Sequence, residues 1–214
     1  AEPMAKGGKF SLGMGYFFDQ KKWEPDKELS FDEGKSRSNQ IYVQGTFGLM
    51  RNWEIYGRFA TADLELPGWS THFSADYKHS GTLGIKGVLF PSIDPKGYIS
   101  IGPFLQSSLG SNYKDRNIIE KTEVKTPWDV NFGVAIQVKN QGICFYFGPV
   151  LYWQRAKIEV ERSSGQHLST TFKERSNSGG FMGVKFTLFD NINIEVEGQY
   201  KGKFSGGSLI TYSF

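Results

Sequence analysis

The chain of 214 residues has only one cysteine and three histidines. A single cysteine, Cys144, excludes an internal disulfide. So few cysteines and histidines form no cluster with the spacing of a metal site, and we expect neither a metal nor another cofactor. The net charge of +3 is too small to indicate a nucleic-acid partner.

Long apolar runs are also missing. Mean hydropathy is -0.41, and no stretch of about twenty apolar residues occurs, which excludes a membrane-spanning helix. The chain is nevertheless rich in aromatic residues, at 15%, and contains 26 glycines. Aromatic residues and glycines in these amounts are typical of a β-barrel, where rings gather at the membrane interfaces and glycines allow strands to bend.

What the chain does contain is alternation of apolar and polar residues with a period of two. The last such stretch, residues 208–214, reads Ser-Leu-Ile-Thr-Tyr-Ser-Phe. Strict alternation predicts a β-strand with one apolar face and one polar or small-residue face. We place ten such strands at residues 9–18, 40–49, 53–62, 82–90, 98–109, 128–139, 143–154, 181–189, 192–199 and 208–214.

The connections between these strands alternate between long and short. An even number of strands, short periplasmic turns and long extracellular loops are the pattern of bacterial outer-membrane barrels. We therefore predict one all-β domain over residues 1–214, a transmembrane antiparallel up-and-down barrel of ten strands. The alternative is a soluble β-sandwich or lipocalin-like barrel, whose apolar face would have to point inward. In a soluble barrel, nothing requires the long connections to lie at one end and the short connections at the other.

Two long connections contain further strand-like sequence. Residues 155–161 still alternate, residues 167–172 are rich in β-formers, and residues 163–166 have the composition of a turn. We predict a hairpin here that projects into solvent, and an equivalent one around residues 118–124. The charged segments 21–28 and 161–175 are interpreted as a solvated surface rather than a specific adhesive site.

The alternation of side chains along each strand predicts that charged residues of both signs point into the lumen. These are Glu54, Arg58, Lys86, Lys185, Glu195 and Glu197. Isolated charges in a narrow lumen cost several kcal/mol, so these groups must pair or meet water. Two interpretations stay open at this point: a salt-bridged plug that stiffens the barrel, and a narrow polar pore lined by charges.

Parity also directs a set of apolar side chains inward, namely Phe17, Tyr56, Phe90, Phe104, Tyr146, Val150 and Tyr152. If they gather on the external side of the charged layer, they form a pocket for one apolar ligand, as small barrels can. The alternative is that these side chains merely fill the taper of the barrel.

The alternate positions Ile210, Tyr212 and Phe214 resemble the C-terminal signal of bacterial outer-membrane proteins. The chain as a whole resembles the small barrels of the OmpA, OmpX and OmpW type, although ten strands exceed their usual eight. The resemblance implies residence of a monomer in the outer membrane of a Gram-negative bacterium, with the barrel-assembly machinery, the bilayer and lipopolysaccharide as partners. OmpW-like proteins are thought to admit hydrophobic molecules, so it also implies a small hydrophobic ligand.

Catalytic patterns are weak. His72 and Ser74 are similar to the His-x-Ser of lipid A deacylases, but no carboxylate stands where the orienting acid is expected. The paired aspartates and the His-Asp couple of the omptin proteases are missing. We therefore expect no enzyme. The predicted function is to admit or bind small, hydrophobic molecules, and the alternative is a non-transporting structural or adhesive barrel with a plugged lumen.

Overall fold

The computed structural model describes residues 7–25, 34–66, 73–91, 93, 98–116, 120–174, 177–189 and 191–214. They form twelve β-strands: β1 Phe10–Pro25, β2 Gly34–Met50, β3 Trp53–Leu66, β4 Phe73–Gly87, β5 Ile99–Gly110, β6 Tyr113–Arg116, β7 Glu120–Asn140, β8 Ile143–Arg162, β9 His167–Glu174, β10 Ser178–Leu188, β11 Ile192–Tyr200 and β12 Phe204–Ser213. Within the described ranges, no helix is long and apolar enough to cross a membrane.

Ten of these strands close into an antiparallel barrel. Each pairs with its neighbour in chain order, β8 pairs directly with β10, and β12 returns to β1 with Ser11 opposite Ser213. The remaining two, β6 and β9, pair only beyond one end of this wall. The predicted ten-stranded antiparallel barrel is thus confirmed.

The side chains alternate in the predicted sense, with the apolar face outside. On β1, Leu12 and Met14 are 51% and 63% exposed, whereas Ser11 is fully buried. Closure into a barrel removes every sheet edge, and an apolar exterior around a polar interior is the arrangement that a bilayer permits. A soluble barrel with an apolar interior does not fit these faces.

Tight turns join the strands at one end of the barrel. Gln141 and Gly142 both have positive φ values, 42° and 85°, as the type I′ hairpin turn between β7 and β8 requires. Outer-membrane barrels have short periplasmic turns. We therefore call this the periplasmic end and the opposite end the external end.

At the external end, several strands continue beyond the membrane. Along β8 the outward side chains change from Leu151 and Trp153 to Arg155, Lys157 and Glu159. The inward side chains change in the opposite sense, from polar and aromatic to Ile158 and Val160. We take the step after Trp153 as the external boundary of the bilayer, and the strands beyond it as the extension.

The extension corrects the predicted long loops. The connection expected over residues 19–39 is mostly strand, because β1 runs to Pro25 and β2 begins at Gly34. The predicted hairpin of residues 155–172 is confirmed as β8 and β9, with Glu161 opposite His167. The second hairpin is also present but begins earlier in the chain, because β6 pairs Tyr113 with Val124 of β7. The fifth external connection, expected over residues 201–207, is only the turn between Tyr200 and Phe204.

The interior of the extension is an apolar core. Its side chains come from β3, β4, β6, β7, β8 and β9 and are all buried: Leu66, Phe73, Ala75, Tyr113, Val124, Ala156, Ile158, Val160 and Phe172. Its outer face carries ion pairs instead, with Lys125 Nζ 2.5 Å and Lys157 Nζ 2.8 Å from the two carboxylate oxygens of Glu159. This part of the chain is therefore built like a soluble β-structure.

Candidate functional site

A layer of buried polar side chains fills the periplasmic half of the lumen. Its centre is the ion pair between Lys86 Nζ and Glu54 Oε1, 3.2 Å apart on directly opposed positions of β3 and β4. Around this pair the lumen is occupied by polar side chains that are almost completely buried, Ser11, Thr46, Gln137 and Thr211. We call this the polar layer.

Three more of the predicted lumen charges lie next to this layer. Lys185 is buried and directly opposite Glu195 in the pairing of β10 with β11. The Tyr146 hydroxyl lies 2.5 Å from Glu195 Oε1 and 2.9 Å from Glu197 Oε2. The Tyr146 hydroxyl therefore lies between the two carboxylates and donates its single proton to one of them at a time.

Arg58 differs from its expected role in the charge network. Among the residues that the structure describes, it contacts no carboxylate within ion-pair distance. Its Nε donates to Gln44 Oε1 at 2.6 Å, and its guanidinium lies 4.9 Å and 5.1 Å from the ring centroids of Tyr42 and Tyr56. The physical reason is that Arg58 lies four residues beyond Glu54 on β3, two steps of the alternation closer to the external end, where aromatic rings are the nearest partners and cation–π contacts replace an ion pair.

Most of the predicted apolar contacts also line the lumen, but on two opposite walls. Phe104, Tyr146, Val150 and Tyr152 gather around Phe181, and the Phe104 and Phe181 rings meet edge to face at 5.2 Å. Phe17 packs on the other side, against Tyr42, Ala60 and Leu209. The Tyr56 hydroxyl, in between, donates to Gln106 Oε1 at 2.9 Å.

Glycines make room for these rings in a narrow barrel. A Cβ atom on Gly84 would collide with the Tyr56 ring, and one on Gly183 would collide with the Tyr146 ring. In each case the ring lies over the glycine of the neighbouring strand, an arrangement that covers the exposed backbone of the glycine. The high glycine content therefore has a packing role inside the lumen.

The prediction for Phe90 is wrong. This residue is 59% exposed, lies beyond the end of β4 and belongs to the periplasmic end. The N–H groups of Leu89 and Phe90 both donate to the carbonyl of Ile101, at 3.0 and 3.1 Å. Two residues opposite one form a β-bulge, which breaks the alternation on which the inward direction of Phe90 was based.

Above the polar layer, a cavity of about 220 Å³ continues into the extension. Its lower part is lined by Tyr56, Arg58, Phe104 and Tyr146, and its upper part by Leu66, Tyr113, Val124, Ala156 and Ile158. This volume is below the roughly 300–1,000 Å³ of typical drug-sized ligand sites. The cavity is suited to a small molecule with an apolar part.

Between these two parts, a ring of charged side chains surrounds the cavity. Asp19 Oδ2 lies 2.6 Å from Lys21 Nζ, and Asp19 Oδ1 accepts from the Ser205 hydroxyl at 2.7 Å. On the other side, Lys201 Nζ donates to Asn131 Oδ1 at 2.5 Å, and the Asn131 amide donates to Asp129 Oδ2 at 2.7 Å. We call Asp19, Lys21, Asp129, Glu174 and Lys201 the junction ring.

Glu174 is the unusual member of the junction ring. It is 5% exposed, lines the cavity, and neither carboxylate oxygen has a hydrogen-bond partner within the described part of the chain. Because β9 lies in the extension, Glu174 is outside the membrane-spanning segments. Burial raises the pKa of its carboxyl group to about 8, against the opposing attraction of Lys21.

Of the junction ring, the alternation of the strands predicts only Asp129 as inward-pointing, near the end of its strand, and the sequence interpretation missed the other members. Glu174 falls in segment 161–175, which was expected to be solvated, and that prediction is wrong for Glu174. Its burial follows from the insertion of β9 between β8 and β1, where Glu174 is opposite Trp23. No local pattern signals this placement, because it depends on a contact between distant parts of the chain.

The structure describes only part of the His72–Ser74 pattern. His72 lies outside the described residues. Ser74 is exposed at the external end of β4, where its backbone N–H donates to Asp115 Oδ2 at 3.1 Å. Among the described residues, no group of histidine, cysteine and acidic side chains could hold a metal ion.

The proposed assembly signal lies on the outer surface. Ile210, Tyr212 and Phe214 are 56%, 47% and 65% exposed, and the Phe214 ring packs against Tyr212 and Phe10. These rings stand where the barrel closes, because Phe214 donates its backbone N–H to the Phe10 carbonyl at 3.0 Å. Recognition of this strand by the assembly machinery stays a prediction.

Comparison with known proteins agrees with this architecture. No protein-family model and no curated protein sequence matches the chain. Among solved structures, the barrel is similar to the outer membrane protein OprG of Pseudomonas aeruginosa, with a TM-score of 0.50, 10% identity, and coverage of 100% of this chain and 99% of OprG. It is also similar to the outer membrane protease OmpT of Escherichia coli, with a TM-score of 0.50, 12% identity, and coverage of 96% and 95%.

At these identities, the two likenesses show the fold alone. The chain has the closed barrel fold of bacterial outer-membrane proteins, in agreement with the predicted resemblance to OmpA- and OmpX-like barrels and with the predicted location. Because one of the two similar structures is a protease, the fold does not decide the function. The function has to be argued from the lumen.

Proposed function

We propose that the protein binds small, largely apolar molecules in the external half of its barrel and that the polar layer controls their passage to the periplasm. The observation that carries this proposal is the position of the cavity. It lies between the apolar core of the extension and the polar layer, and side chains of both line it.

The apolar core favours an apolar ligand. Among the described residues, Leu66, Val124 and Ile158 line the external part of the cavity. Transfer of apolar surface from water into such surroundings is favourable by roughly 25 cal/mol per Å². The aromatic rings of Tyr56 and Phe104 then offer further contact area in the lower part of the cavity.

The polar layer supports a second candidate function, a structural or adhesive barrel that transports nothing. Glu54 and Lys86 are paired and buried, and their neighbours fill the remaining space. Replacement of one partner of a buried ion pair leaves an uncompensated charge. Lys86→Ala therefore separates the alternatives: raised conductance in a planar bilayer indicates a gate, and lost heat stability without conductance indicates a plug.

Binding itself can be tested by methyl NMR on the full chain refolded in nonionic detergent micelles. We expect toluene to shift the methyl signals of Leu66 and Ile158 in a saturable way. Ala60→Phe, which places a ring in the cavity, should weaken binding at least about tenfold, a loss of about 1.4 kcal/mol. Thr61→Phe is the matched control, because it adds the same ring one position along β3 on the lipid-facing side.

Local shifts at cavity methyls separate binding from partition of the probe into detergent. Lipid-facing methyls such as those of Ile41 and Leu83 report the partition alone. Equal shifts in the two sets, or unchanged binding by the Ala60→Phe protein, would contradict the proposal. Lipopolysaccharide and the assembly machinery are further partners that we propose on the basis of the outer-membrane fold.

A further inference from the structure

We propose that the ligand of this cavity carries a positively charged amino group and that the Glu174 carboxylate binds it, with the apolar part of the ligand in the core of the extension. This inference rests on the proposed function and specifies the chemical class of the ligand. Its basis is a buried carboxylate that lines the cavity and has no partner among the described residues.

The first step is the charge of the junction ring. It contains three carboxylates, Asp19, Asp129 and Glu174, and two ammonium groups, Lys21 and Lys201, all of which interact electrostatically with Glu174. The other four members already have partners: Asp19 with Lys21 and Ser205, and Asp129 and Lys201 with Asn131. With all five groups ionised, the ring carries one excess negative charge, and Glu174 is the member whose carboxylate oxygens have no hydrogen-bond partner among the described residues.

The second step is the cost of that arrangement. Buried polar groups are almost always hydrogen-bonded, and a buried carboxylate without donors is unfavourable. Glu174 can avoid the cost by holding a proton, or a ligand can supply the missing donors. An ammonium group has three N–H donors and one positive charge, which satisfies both carboxylate oxygens and neutralises the ring.

The third step is the direction of the ligand. The cavity continues from Glu174 upward to Leu66, Val124 and Ile158. A chain of a few carbon atoms attached to the amino group can lie among these side chains. A metal ion would not use this apolar surface, and among the described residues no set of metal ligands surrounds the site. A short aliphatic amine fits both the charge and the surface.

Binding of such an amine should release a proton at neutral pH. Because burial raises the pKa of Glu174 to about 8, the empty site holds a neutral carboxylic acid at pH 7. The ammonium ligand favours the carboxylate, so the carboxyl proton leaves to solvent as the amine binds. The charged groups that interact with Glu174 are Asp19 and Lys21 of β1, Asp129 of β7 and Lys201 of the turn after β11. Tyr113 of β6 is a further titratable group that lines the same cavity.

The test compares three probes of equal length, hexylammonium, hexanol and hexanoate, on the full chain in nonionic detergent. The methyl signals of Leu66 and Ile158 report binding. Since a hydrogen bond to a charged group contributes about 1.5–3 kcal/mol, hexylammonium should bind at least roughly tenfold tighter than hexanol, and hexanoate most weakly. Glu174→Gln should abolish the preference for hexylammonium and leave the affinity for hexanol unchanged.

Glu161→Gln is the matched control, because it removes the same charge from the exposed face of the same hairpin and should change nothing. Calorimetry in two buffers of different ionisation enthalpy should show about one proton released per hexylammonium bound at pH 7 and none with hexanol. The wild-type comparison and the proton count keep the test decisive even if Glu174→Gln does not fold.

The outcomes separate this inference from the proposed function. If no probe binds in the cavity, the proposed function fails. If hexanol binds and hexylammonium binds no better, or if no proton is released, the cavity binds ligands but the assignment of Glu174 as the site of a cation is wrong.

Discussion

The membrane-level part of the barrel and the extension are built from the same strands with opposite polarity. On β8, Phe147 faces lipid and Tyr146 faces a polar lumen, whereas Lys157 faces water and Ile158 faces an apolar core. The medium outside determines the difference. Where the bilayer covers the outer face, the interior is free to be polar. Where water covers it, the interior must provide the apolar surface that stabilises the fold.

This difference explains where a binding site can form. A purely apolar interior has no charge to select a ligand, and the closely packed polar layer leaves no room for one. At the junction, charged groups such as Glu174 and an apolar wall such as Ile158 line the same space. Binding sites commonly combine mostly apolar walls with a few placed polar groups.

The largest expected effect on stability comes from removing a large side chain from the apolar core of the extension. Phe172 is fully buried, and Phe172→Ala should cost about 3–5 kcal/mol, because a large cavity remains. We expect the loss to be local: hydrogen exchange of residues 155–161 should accelerate strongly, while that of residues 145–151 in the membrane changes little.

Phe145→Ala is the control for this prediction, because it removes the same ring from the lipid-facing surface, where lipid replaces it. If both substitutions destabilised the whole barrel equally, the extension would not have a core of its own. The proposed difference between the two regions would then be wrong.

A smaller effect is expected from a charge on the lipid-facing wall. Phe147→Arg should destabilise the folded barrel by about 2–4 kcal/mol, the cost of a basic side chain near the midplane of the bilayer. Ser169→Arg, on the exposed outer face of β9 opposite Glu159, should cost almost nothing. Urea titration of the protein folded into lipid vesicles measures both.

Equal stability of these two variants would mean that the outer face of β8 is not in contact with lipid at residue 147. The position of the boundary after Trp153 would then need revision. If Leu151→Arg lowered the stability of the folded barrel by an intermediate amount, this would instead support the boundary after Trp153, because the cost of a charge falls toward the interface.

The wall of the barrel was predictable because the bilayer imposes one rule on every strand. Parity placed Glu54, Lys86 and Tyr146 in the lumen and Ile210 on the surface, and the structure has each of them there. The extension was harder to predict. Where a strand leaves the membrane, its outward side chains become charged and its inward ones apolar, so its sequence has as many charged residues as a loop. Residues 155–161 kept enough alternation to be recognised, and residues 19–25 did not.

The candidate site could be predicted only in part. Side chains of the polar layer follow from parity within single strands, but Phe90 shows that one bulge is enough to reverse a side chain. Glu174 could not be predicted, because its burial depends on β9 lying between β8 and β1. Local sequence carries no information on such a contact.

The smallest expected effect concerns the outer face of the extension. The hydrogen bonds from Lys125 and Lys157 lower the pKa of Glu159 to about 2. A lowered carboxyl pKa stabilises the fold above the usual pKa, near 4.5, and this contribution is lost as the pH falls toward 2. Since Glu159 is exposed to solvent, salt screens the interaction.

Glu159→Gln should therefore slightly accelerate hydrogen exchange of residues 155–161 at pH 7 and low salt. The difference from wild type should vanish at about 1 M salt, where the screening length is about 3 Å. It should also shrink as the pH falls from about 4.5 toward 2, where the wild-type carboxylate is about half protonated. An effect as large as that of Phe172→Ala would show that the ion pairs outside, rather than the apolar core inside, hold the extension together.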